Sequence, residues 1–408
     1  MKCRHCQSEL DILLADLRSS PPSNAYLSAA GLREPEKWYP LRVLLCPDCW
    51  LAQTEDYAGR EELFSADYAY FSSFSSSWLD QCKAYASMMV ERFALGAGSR
   101  VAEVAANDGY LLQFFRDKGI PCFGVEPTAS TAAVARAKGI QIFEDFFGAQ
   151  LGQHLAAEGY PADLIVANNV LAHVPDINDF VAGFGLLLKP GGVATFEFPH
   201  LYRLVTGLQF DTIYHEHFSY LSLMATARIF EANGLGVFDV EELPTHGGSL
   251  RVYAQRLDGS KHPVSERVRS MLALESSAGM DSAGFYAGFQ HQVVGIKHQL
   301  LGFLLSARER GEMVVAYGAA AKGNTLLNFS GVRDDLLAYV MDKNPAKQGK
   351  FLPGSRIPIV AEDRLAVDRP PWILILPWNI RDEVAAQLDY ARQWGARFVT
   401  AVPRLTTF

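Results

Sequence analysis

Short apolar runs alternate with longer segments of mixed polarity through the middle of the chain. The runs rich in β-branched residues predict strands near residues 100–105, 121–126, 162–167, 192–198 and 249–255, with helices between them. Strands that are apolar along their whole length are typical of parallel sheets, because such sheets are buried on both faces. A further helix is predicted over residues 78–95, ahead of the first strand. We therefore predict an α/β domain in the middle of the chain.

A second α/β pattern occupies the C-terminal part of the chain. A charged, helical segment over about residues 264–310 separates the two patterns. The strands of the second pattern are predicted at residues 313–317, 337–342, 372–376 and 397–401. The first 65 residues, in contrast, are predicted to be rich in loops, with too little apolar sequence for an independent core. The predicted domains are residues 1–67, 68–263 and 264–408.

The first strand of the middle domain leads into a turn of small residues, Glu103-Val-Ala-Ala-Asn-Asp-Gly109, and then into a helix. The next apolar run ends in Glu126. A strand, a small-residue turn, a helix and a strand with a terminal carboxylate form the first βαβ unit of a nucleotide-binding sheet. Ala105 and Asn107 stand where a dinucleotide-binding turn has glycines, which let the backbone approach a pyrophosphate. Because a ligand without phosphate does not need those glycines, the turn favours S-adenosylmethionine (SAM) over NAD.

The positions of the residues around this turn suggest their roles. Glu126 is expected to bind the two ribose hydroxyls, and the turn from Ala105 to Gly109 is expected to face the methionine part of SAM. Asp145 follows another predicted strand and is expected to accept a hydrogen bond from the adenine amino group, with a surface carboxylate as the alternative. The predicted cofactor-binding residues are Glu103, Ala105, Asn107, Gly109, Glu126, Asp145, Phe146 and Asn168.

Four of the six cysteines form two Cys-x-x-Cys pairs near the start of the chain. Each pair on a turn can offer two thiolates to one tetrahedral metal ion. A redox dithiol is the alternative, but it would use only one Cys-x-x-Cys pair and leave the second pair without a role. A site closed by four cysteines has no open position for chemistry, so its role would be to hold the N-terminal lobe together. We predict a structural zinc site formed by Cys3, Cys6, Cys46 and Cys49.

A cluster of polar and ionisable side chains, Tyr214-His-Glu-His217, follows the strand predicted at residues 192–198, with Asp211 just before it. Loops at the carboxyl ends of parallel strands are where α/β sheets place their active sites. Histidine has a pKa suited to proton transfer near neutral pH. The cluster is therefore predicted to supply a general base and a supporting acid. A solvated surface loop and a metal site of His215 with His217 are the alternatives.

Two further segments carry candidate site residues. His173 follows the third strand of the middle domain, where residues border the centre of methyl transfer, although a structural histidine is the alternative. Lys322 precedes Gly-Asn-Thr at the predicted start of a helix in the second α/β pattern. Backbone N–H groups, the helix dipole and the ammonium group could bind an anion there. An ordinary turn with an exposed lysine is the alternative.

Composition and charge narrow the class of protein. The chain is 49% hydrophobic and 20% charged, which is typical of an ordinary globular protein. A formal net charge of -8 argues against a nucleic-acid partner, because such proteins carry a basic face. No apolar run approaches the roughly 20 residues that cross a bilayer, and the first residues lack the apolar core of a signal peptide. We expect a soluble, cytoplasmic protein with no membrane partner, and a monomer, since nothing resembles a dedicated dimerisation helix.

Four motifs together resemble the sugar-nucleotide C-methyltransferases, a family that typically acts on dTDP-4-keto-6-deoxyhexoses. The motifs are the paired Cys-x-x-Cys, Glu-Val-Ala-Ala-Asn-Asp-Gly-Tyr-Leu-Leu, Tyr-His-Glu-His-Phe-Ser-Tyr and Tyr-Gly-Ala-Ala-Ala-Lys-Gly-Asn-Thr-Leu-Leu-Asn. The resemblance extends over essentially the whole chain. It implies a zinc-binding N-terminal lobe, a SAM-binding middle domain and a Rossmann-like C-terminal domain, with the sugar nucleotide between them. Ala105-Ala106 departs from the more usual Gly-Ser of the family.

The resemblance also implies roles for particular residues. His217 would be the base that removes a proton beside the ketone, with Glu216 as its polar neighbour. Tyr214 or His173 would stabilise the oxyanion that develops. The residues expected to bind the sugar nucleotide are Tyr68 or Tyr70, Lys322 and Asn324.

The implied reaction is C-methylation, which we expect at C3 of the sugar. The sequence leaves methylation at C5, the stereochemistry and the carrier nucleotide open. The alternatives are an O- or N-methyltransferase of a small molecule, and a C-methyltransferase that is also a ketoreductase using NADPH in the second nucleotide fold. A non-enzymatic interaction module built on the zinc site is a further alternative, against which the Tyr-His-Glu-His cluster counts.

Overall fold

The computed structural model describes residues 1–57, 73 and 76–408 of the chain. Its strands are β1 (Ile12–Ser20), β2 (Tyr39–Leu45), β3 (Ala52–Thr54), β4 (Val101–Val104), β5 (Cys122–Val125), β6 (Gln141–Phe143), β7 (Ala162–Asn168), β8 (Leu188–Pro199), β9 (Ser219–Tyr220), β10 (Leu235–Leu243), β11 (Ser249–Arg256), β12 (Val314–Tyr317), β13 (Val340–Met341), β14 (Ile359–Val360), β15 (Trp372–Ile375), β16 (Arg397–Thr400) and β17 (Thr406–Thr407).

Its α-helices are α1 (Ser76–Arg92), α2 (Leu112–Arg116), α3 (Ala129–Ala137), α4 (Ala149–Ala157), α5 (Ile177–Leu187), α6 (Leu201–Thr206), α7 (Leu223–Ala232), α8 (Glu266–Ser277), α9 (Ala283–Tyr286), α10 (Phe289–Glu309), α11 (Ala321–Ser330), α12 (Arg364–Asp368) and α13 (Arg381–Gln387). None of the helices in the described ranges is long and apolar enough to cross a bilayer. Tyr68 and Tyr70 lie outside the described residues, so their contact with a substrate stays a prediction.

The middle domain is built on a seven-stranded sheet with the order β10–β11–β8–β7–β4–β5–β6. The strands from β8 to β6 are parallel, β11 runs antiparallel to β8, and β10 runs antiparallel to β11. The five strands predicted here are confirmed, but β10 is an edge strand that the sequence analysis missed. The chain leaves β4 to form β5 on one side and returns to form β7 on the other. A crevice therefore opens at the carboxyl end of β4, where such sheets bind ligands.

The N-terminal lobe contains a four-stranded antiparallel sheet with the order β1–β2–β3–β9, so the prediction of a loop-rich segment is wrong. The register of β1 shifts between Leu13 and Ala15 and again between Asp16 and Ser19. These irregularities interrupt the period of two that marks a strand in a sequence. The fourth strand, β9, comes from the middle domain and follows the Tyr-His-Glu-His segment directly.

The C-terminal domain is a six-stranded sheet with the order β14–β13–β12–β15–β16–β17, parallel except for β17. The four strands predicted in this region are confirmed. The predicted helical segment between the two sheets forms α8, α9 and α10. Apolar residues of α10 and of this sheet share one core with β1 and β2 of the N-terminal lobe. The lobe thus completes its core against the C-terminal domain, as expected of a segment with little apolar sequence of its own.

A buried carboxylate fixes α8 to the middle domain. Glu275 accepts hydrogen bonds from the backbone N–H groups of Leu223 and Met224, at 2.6 and 2.7 Å, in the first turn of α7. Its Oε1 also lies 2.7 Å from Nε2 of His200. A helix N-terminus favours an anion, because its first N–H groups lack partners within the helix. Although α8 follows the predicted domain boundary, it packs on the core of the middle domain.

Candidate active site

A cavity of about 470 Å³ opens at the carboxyl ends of β4, β5 and β7. Its wall contains six of the residues predicted to bind SAM, namely Ala105, Asn107, Glu126, Asp145, Phe146 and Asn168. The wall also includes His173, His246 of the β10–β11 loop, and Asn379 and Ile380 of the C-terminal domain. One continuous cavity therefore joins the predicted cofactor site to a residue predicted for catalysis.

The turn after β4 has an unusual backbone. Ala105, Asn107 and Gly109 have positive φ angles of 57°, 47° and 75°. A left-handed conformation costs a residue with a Cβ atom about 1–2 kcal/mol, and such strain is concentrated at functional sites. The Glu126 carboxylate supports the turn, because Asn107 N and Thr128 N donate hydrogen bonds to its two oxygens, each at 2.9 Å. Each carboxylate oxygen can accept a second hydrogen bond, so Glu126 is still suited to bind ribose hydroxyls.

Two residues of the predicted cofactor set lie behind the turn, outside the wall of the cavity. Glu103 is fully buried in β4, and burial raises the pKa of its carboxyl group well above the ordinary range. A Cβ atom at Gly109 would lie 2.5 Å from Cδ1 of Ile140, so a side chain at this position would displace the turn. The structure thus gives both residues a part in shaping the turn, and their effect on cofactor binding stays a prediction.

The Tyr-His-Glu-His segment is buried, so the alternative of a solvated surface loop is wrong. His215, Glu216 and His217 are 6%, 1% and 9% exposed. The backbone N–H of Phe218 donates to the carbonyl oxygen of Ala172 at 2.7 Å. This bond holds the segment directly against the loop that carries His173.

Two imidazoles meet beside the cavity. The ring centroid of His217 lies 4.6 Å from that of His173 and 3.9 Å from that of Tyr214. Nδ1 of His173 lies 2.8 Å from the carbonyl oxygen of Glu216. Nδ1 of His217 lies 2.9 Å from the carbonyl oxygen of Thr212. Because a carbonyl oxygen can only accept, each Nδ1 carries the proton and donates it, and each Nε2 carries the lone pair.

Burial lowers the pKa of both imidazoles. The pKa of His173 falls to about 4. The pKa of His217 lies well below its ordinary value because of burial, with further repulsion from His173, His246 and Lys322. Both rings are therefore neutral near pH 7, which is the form in which a histidine can accept a proton.

The carboxylate of Glu216 does not support either imidazole by a hydrogen bond. Its Oε1 accepts a hydrogen bond of 3.1 Å from Nδ2 of Asn24 in the N-terminal lobe, and its Oε2 has no partner among the described residues. Burial raises the pKa of this carboxyl group. The prediction of a supporting acid for His217 is therefore wrong in its geometry, because adjacent residues of this tight segment point in different directions. A catalytic role of Glu216 stays a prediction.

His215 and His217 also point to different parts of the molecule. Nε2 of His215 lies 3.2 Å from the carbonyl oxygen of Pro40 in the N-terminal lobe, and its ring packs against Tyr39 at 5.9 Å. In the part of the chain that the structure describes, four cysteines are the one group with metal-binding geometry. The structure thus gives no support to a metal site at the two histidines.

Lys322 extends from the start of α11 toward the same region. Its Nζ donates to Oδ1 of Asn379 at 2.6 Å and lies 5.0 Å from the ring centroid of Trp378. Nε1 of Trp378 in turn donates to Oδ2 of the buried Asp211 at 2.8 Å. Burial lowers the pKa of the Lys322 ammonium, and attraction to Asp211 opposes that shift. Burial raises the pKa of Asp211 to about 6. Lys322 is not exposed, so the alternative of an ordinary exposed lysine is wrong.

Asn324 does not reach the cavity. It is 1% exposed, and its Nδ2 donates to the carbonyl oxygen of Ser23 at 2.6 Å. The amide therefore joins the C-terminal domain to the N-terminal lobe. Its sequence position, two residues after Lys322 on a helix, places it on a different helix face, which explains why the two residues do not act together.

The turn after β12 is covered by the N-terminal lobe. The carbonyl oxygen of Ala319 accepts hydrogen bonds from the Tyr26 hydroxyl at 2.6 Å and from Nζ of Lys347 at 2.8 Å. The N–H of Ala319 donates to Oδ2 of Asp342, the acid after β13, at 2.8 Å. The position where a dinucleotide would approach this second fold is thus filled by protein contacts.

His246 is a candidate site residue that the sequence analysis missed. It lies in the loop between β10 and β11 with a φ angle of 54°, followed by Gly247 and Gly248 with φ angles of 90° and 115°. Its ring lines the cavity and lies 6.2 Å from the ring of Trp78. A histidine followed by two glycines at the end of a strand was the available signal. The signal was hidden because the preceding strand, β10, was not predicted.

The four cysteines converge in the N-terminal lobe. Their sulfur atoms all lie within 4.8 Å of one another, with Cys3 and Cys49 3.5 Å apart and Cys6 and Cys46 3.4 Å apart. Zn–S bonds of about 2.3 Å in a tetrahedron place the sulfurs about 3.8 Å from one another, so the four thiolates fit a zinc ion. Nε2 of Gln53 also donates to Sγ of Cys3, as expected in the surroundings of a bound thiolate.

Three family models match consecutive parts of the chain. They are a putative zinc binding domain at residues 3–64, a methyltransferase domain at residues 80–240 and a C-methyltransferase C-terminal domain at residues 244–403. The prediction of a zinc-binding lobe followed by two α/β domains is confirmed.

Individual proteins are also similar. C-methyltransferase NovU of Streptomyces niveus is 33% identical over 402 residues, which are 98% of this chain and 95% of that protein. A ubiquinone biosynthesis O-methyltransferase of Rhodopseudomonas palustris (strain BisB18) is 29% identical over 99 residues, which are 24% of this chain and 38% of that protein. A magnesium protoporphyrin IX methyltransferase of Synechocystis PCC 6803, solved with bound SAM, is 14% identical over 44% of this chain and 79% of that one, with a TM-score of 0.34.

The full-length similarity to a C-methyltransferase agrees with the cavity at the carboxyl end of β4 and with the four-cysteine site. The predictions of SAM as the cofactor and of a structural zinc ion are confirmed. The chain belongs to the C-methyltransferase family, as a SAM-dependent enzyme with an N-terminal zinc-binding domain.

Proposed function

We propose that this enzyme methylates C3 of a nucleotide-linked 4-keto-6-deoxy sugar, with thymidine diphosphate as the carrier. The observation that carries the proposal is a pair of neutral imidazoles at the cavity that is suited to SAM. His173 lies in the cavity wall, and the ring centroid of His217 lies 4.6 Å from that of His173. A carbon atom accepts a methyl cation only after it has gained electron density. The hydrogen on a carbon beside a ketone is acidic enough for a histidine to remove, which provides that density.

The proton would move to Nε2 of His217. Its Nδ1–H is held by the carbonyl oxygen of Thr212, which orients the ring and stabilises the imidazolium that forms. The rings of Tyr214 and His173 both pack against the His217 ring and restrict its rotation. His173 lies in the cavity wall and His217 lies beside it. The proposed roles are thus His217 as base and His173 as the neighbour that fixes the position of the His217 ring.

The cofactor would lie along the turn after β4. Glu126 would bind the ribose hydroxyls, while Asp145 and Phe146 would contact the adenine and Asn168 would border the reacting end. SAM, when bound, supplies a methyl group on a positively charged sulfur. The continuous cavity lets the chain hold the two reactants in contact, and such positioning supplies a large part of the acceleration in bimolecular reactions.

The nucleotide part of the substrate is proposed to lie between the middle and C-terminal domains. Asn379 and Ile380 bring the C-terminal domain to the cavity, and Trp378 and Lys322 stand behind them. The resemblance of the four sequence motifs to sugar-nucleotide C-methyltransferases supports a sugar as the acceptor. Because one chain supplies every residue named here, a monomer would be sufficient for activity.

The ketoreductase alternative receives less support from the described residues. A reduction by NADPH requires a dinucleotide site, and Tyr26 and Lys347 cover the turn after β12 where such a site would form. O- and N-methylation also need a base, but they do not need an oxyanion-stabilising group beside the acceptor. We therefore keep C-methylation as the single proposal.

The proposal is tested by incubating the enzyme with SAM and a panel of dTDP-4-keto-6-deoxy sugars. Mass spectrometry should show the addition of one methyl group, and NMR should place it on C3. The matched control is the same sugar with a hydroxyl in place of the 4-ketone, which should not react. A methyl group found on oxygen, or equal reaction of the 4-hydroxy sugar, would contradict an enolate mechanism. Addition at C5 would correct the position and keep the mechanism.

A further inference from the structure

The weakness of His217 as a base requires a second group at the reaction centre. Burial and nearby positive charge hold its pKa well below the ordinary value for histidine. A weak base removes a proton from carbon only if the resulting enolate is stabilised strongly by the protein. The candidates for that stabilisation are the hydrogen-bond donors around the same end of the cavity.

Lys322 stands directly behind the cavity wall, within hydrogen-bond distance of a residue that lines it. Its ammonium is bonded to Oδ1 of Asn379, a residue of the cavity wall, and lies over the ring of Trp378. Its electrostatic effect reaches the imidazoles of both His217 and His246. The charge is therefore close to the proposed base, although α11 belongs to the C-terminal domain.

The ammonium also has hydrogen-bonding capacity that the protein does not use. It offers three N–H donors, and Asn379 is its one hydrogen-bond acceptor within the described ranges. The nearest carboxylate, Asp211, is engaged through Oδ2 with Trp378, and its Oδ1 has no partner among the described residues. A partly compensated ammonium in a buried site favours the binding of a developing negative charge.

We propose that Lys322 is a catalytic residue that donates a hydrogen bond to the C4 oxygen and stabilises the enolate, an inference that rests on the proposed function. Nε2 of His217 takes the proton from C3, and the C–H electron pair forms a C3–C4 double bond. The π electrons of the C4 carbonyl move to its oxygen, which Lys322 stabilises without giving up a proton. When C3 gains the methyl group and the S–CH₃ bond breaks, the C4 carbonyl forms again and His217 releases its proton to water.

A rival role for the same ammonium is to bind the diphosphate of the carrier nucleotide. The two roles affect different kinetic quantities. An oxyanion contact acts only as charge develops, so its removal lowers kcat and leaves KM and the affinity for the nucleotide unchanged. A diphosphate contact exists in the bound ground state, so its removal raises KM and weakens nucleotide binding.

The test compares Lys322→Met, which keeps the apolar stem over Trp378, with the wild type. The matched control is Lys297→Met, since Lys297 lies on α10 outside the site and its ammonium likewise lies over an aromatic ring, 5.1 Å from that of Phe329. We expect Lys322→Met to lower kcat for methylation and for solvent deuterium exchange at C3 roughly 100-fold or more, as for other oxyanion donors. KM for the sugar nucleotide and the calorimetric Kd of thymidine diphosphate should stay at the wild-type values, and Lys297→Met should behave as wild type.

Three outcomes would overturn the assignment. They are a raised KM with a weaker Kd for thymidine diphosphate at unchanged kcat, an unchanged variant, and an equal loss in Lys297→Met. If Lys322→Met loses SAM binding and does not fold, Asn379→Ala tests the same position by removing the anchor of the ammonium. Its kcat should fall at constant KM, and an unchanged kcat would contradict the proposal. A wild-type enzyme that exchanges no hydrogen with any keto sugar would instead refute the proposed function itself.

Discussion

At the scale of the residue, the site depends on which nitrogen of each imidazole carries the proton. His173 and His217 both donate Nδ1–H to backbone carbonyls, and these bonds come from a loop geometry that sequence does not reveal. The sequence did predict the histidines, because clustered ionisable side chains after a buried strand are rarely core residues. It could not predict the direction of Glu216, nor the approach of His246 from another loop.

Replacement of the proposed base should remove most of the activity. His217→Asn keeps a polar side chain at the position but has no basic nitrogen, so kcat should fall roughly 100-fold or more while the Kd for SAM is unchanged. His215→Asn is the matched control, because His215 bonds to the N-terminal lobe. Steady-state kinetics and calorimetry check both variants. Equal activity of the two would remove His217 from the role of base.

The lowered pKa of His173 predicts a dependence of stability on pH. The unfolded chain binds a proton at His173 below about pH 6.5, whereas the folded protein resists protonation until about pH 4. The contribution of His173 to the free energy of unfolding is therefore fully present above pH 6.5. It is lost as the pH falls toward 4, by up to about 1.4 kcal/mol per pH unit.

His173→Asn should reduce this slope, because asparagine does not titrate. The free energy of unfolding, measured with urea at several pH values from 4.5 to 7.5, checks the prediction for variant and wild type. Subtracting the pH dependence of the variant from that of the wild type gives the contribution of His173 alone. Asp211, whose raised pKa makes stability change with pH in the opposite direction, contributes equally to both proteins. Parallel curves for the two proteins would show that His173 is not buried as a neutral group.

At the scale of the element, the sequence predicted most strands of both α/β sheets, missed β10, β14 and β17, and failed in the N-terminal lobe. The parallel strands are short, continuous apolar runs, which a linear pattern detects well. The strands β1 and β2 are only half apolar and are paired with register shifts, and their sheet is completed by β9, which comes from a distant part of the chain and pairs with β3. The edge strand β10 carries acidic residues that weakened its signal. Pairing over such distances is a property of the folded chain and has no local signature.

Zinc binding should stabilise more than the lobe that contains it. Cys46 follows β2 directly, and β2 belongs to the core shared with the C-terminal domain. Cys46→Ser should therefore abolish the one bound zinc ion, measured by elemental analysis, and lower the temperature of thermal unfolding. Cys122→Ala, a change at a cysteine outside the site, should keep the zinc ion. A full complement of zinc in Cys46→Ser would show that the four thiolates do not form the site.

At the scale of the whole molecule, three domains contribute to one active site. The middle domain supplies the cofactor turn and the imidazoles, the N-terminal lobe supports the buried Tyr-His-Glu-His segment, and the C-terminal domain brings Lys322 and Asn379. The sequence predicted the order of domains and the cofactor. It predicted that Lys322 lies at the start of a helix, but it could not show that this helix brings Lys322 to Asn379 in the cavity wall.

Hydrogen exchange at the carbon beside the ketone reports the proposed action of His217 separately from methyl transfer. The enzyme, without SAM, is incubated in deuterium oxide with a dTDP-4-keto-6-deoxy sugar, and NMR follows the hydrogen on C3. We expect the wild type to exchange the hydrogen on C3, and His217→Asn to exchange it at a rate lower by about 100-fold or more. Exchange at the same rate in both proteins, or methylation at C3 by a His217→Asn enzyme at the wild-type rate, would contradict it.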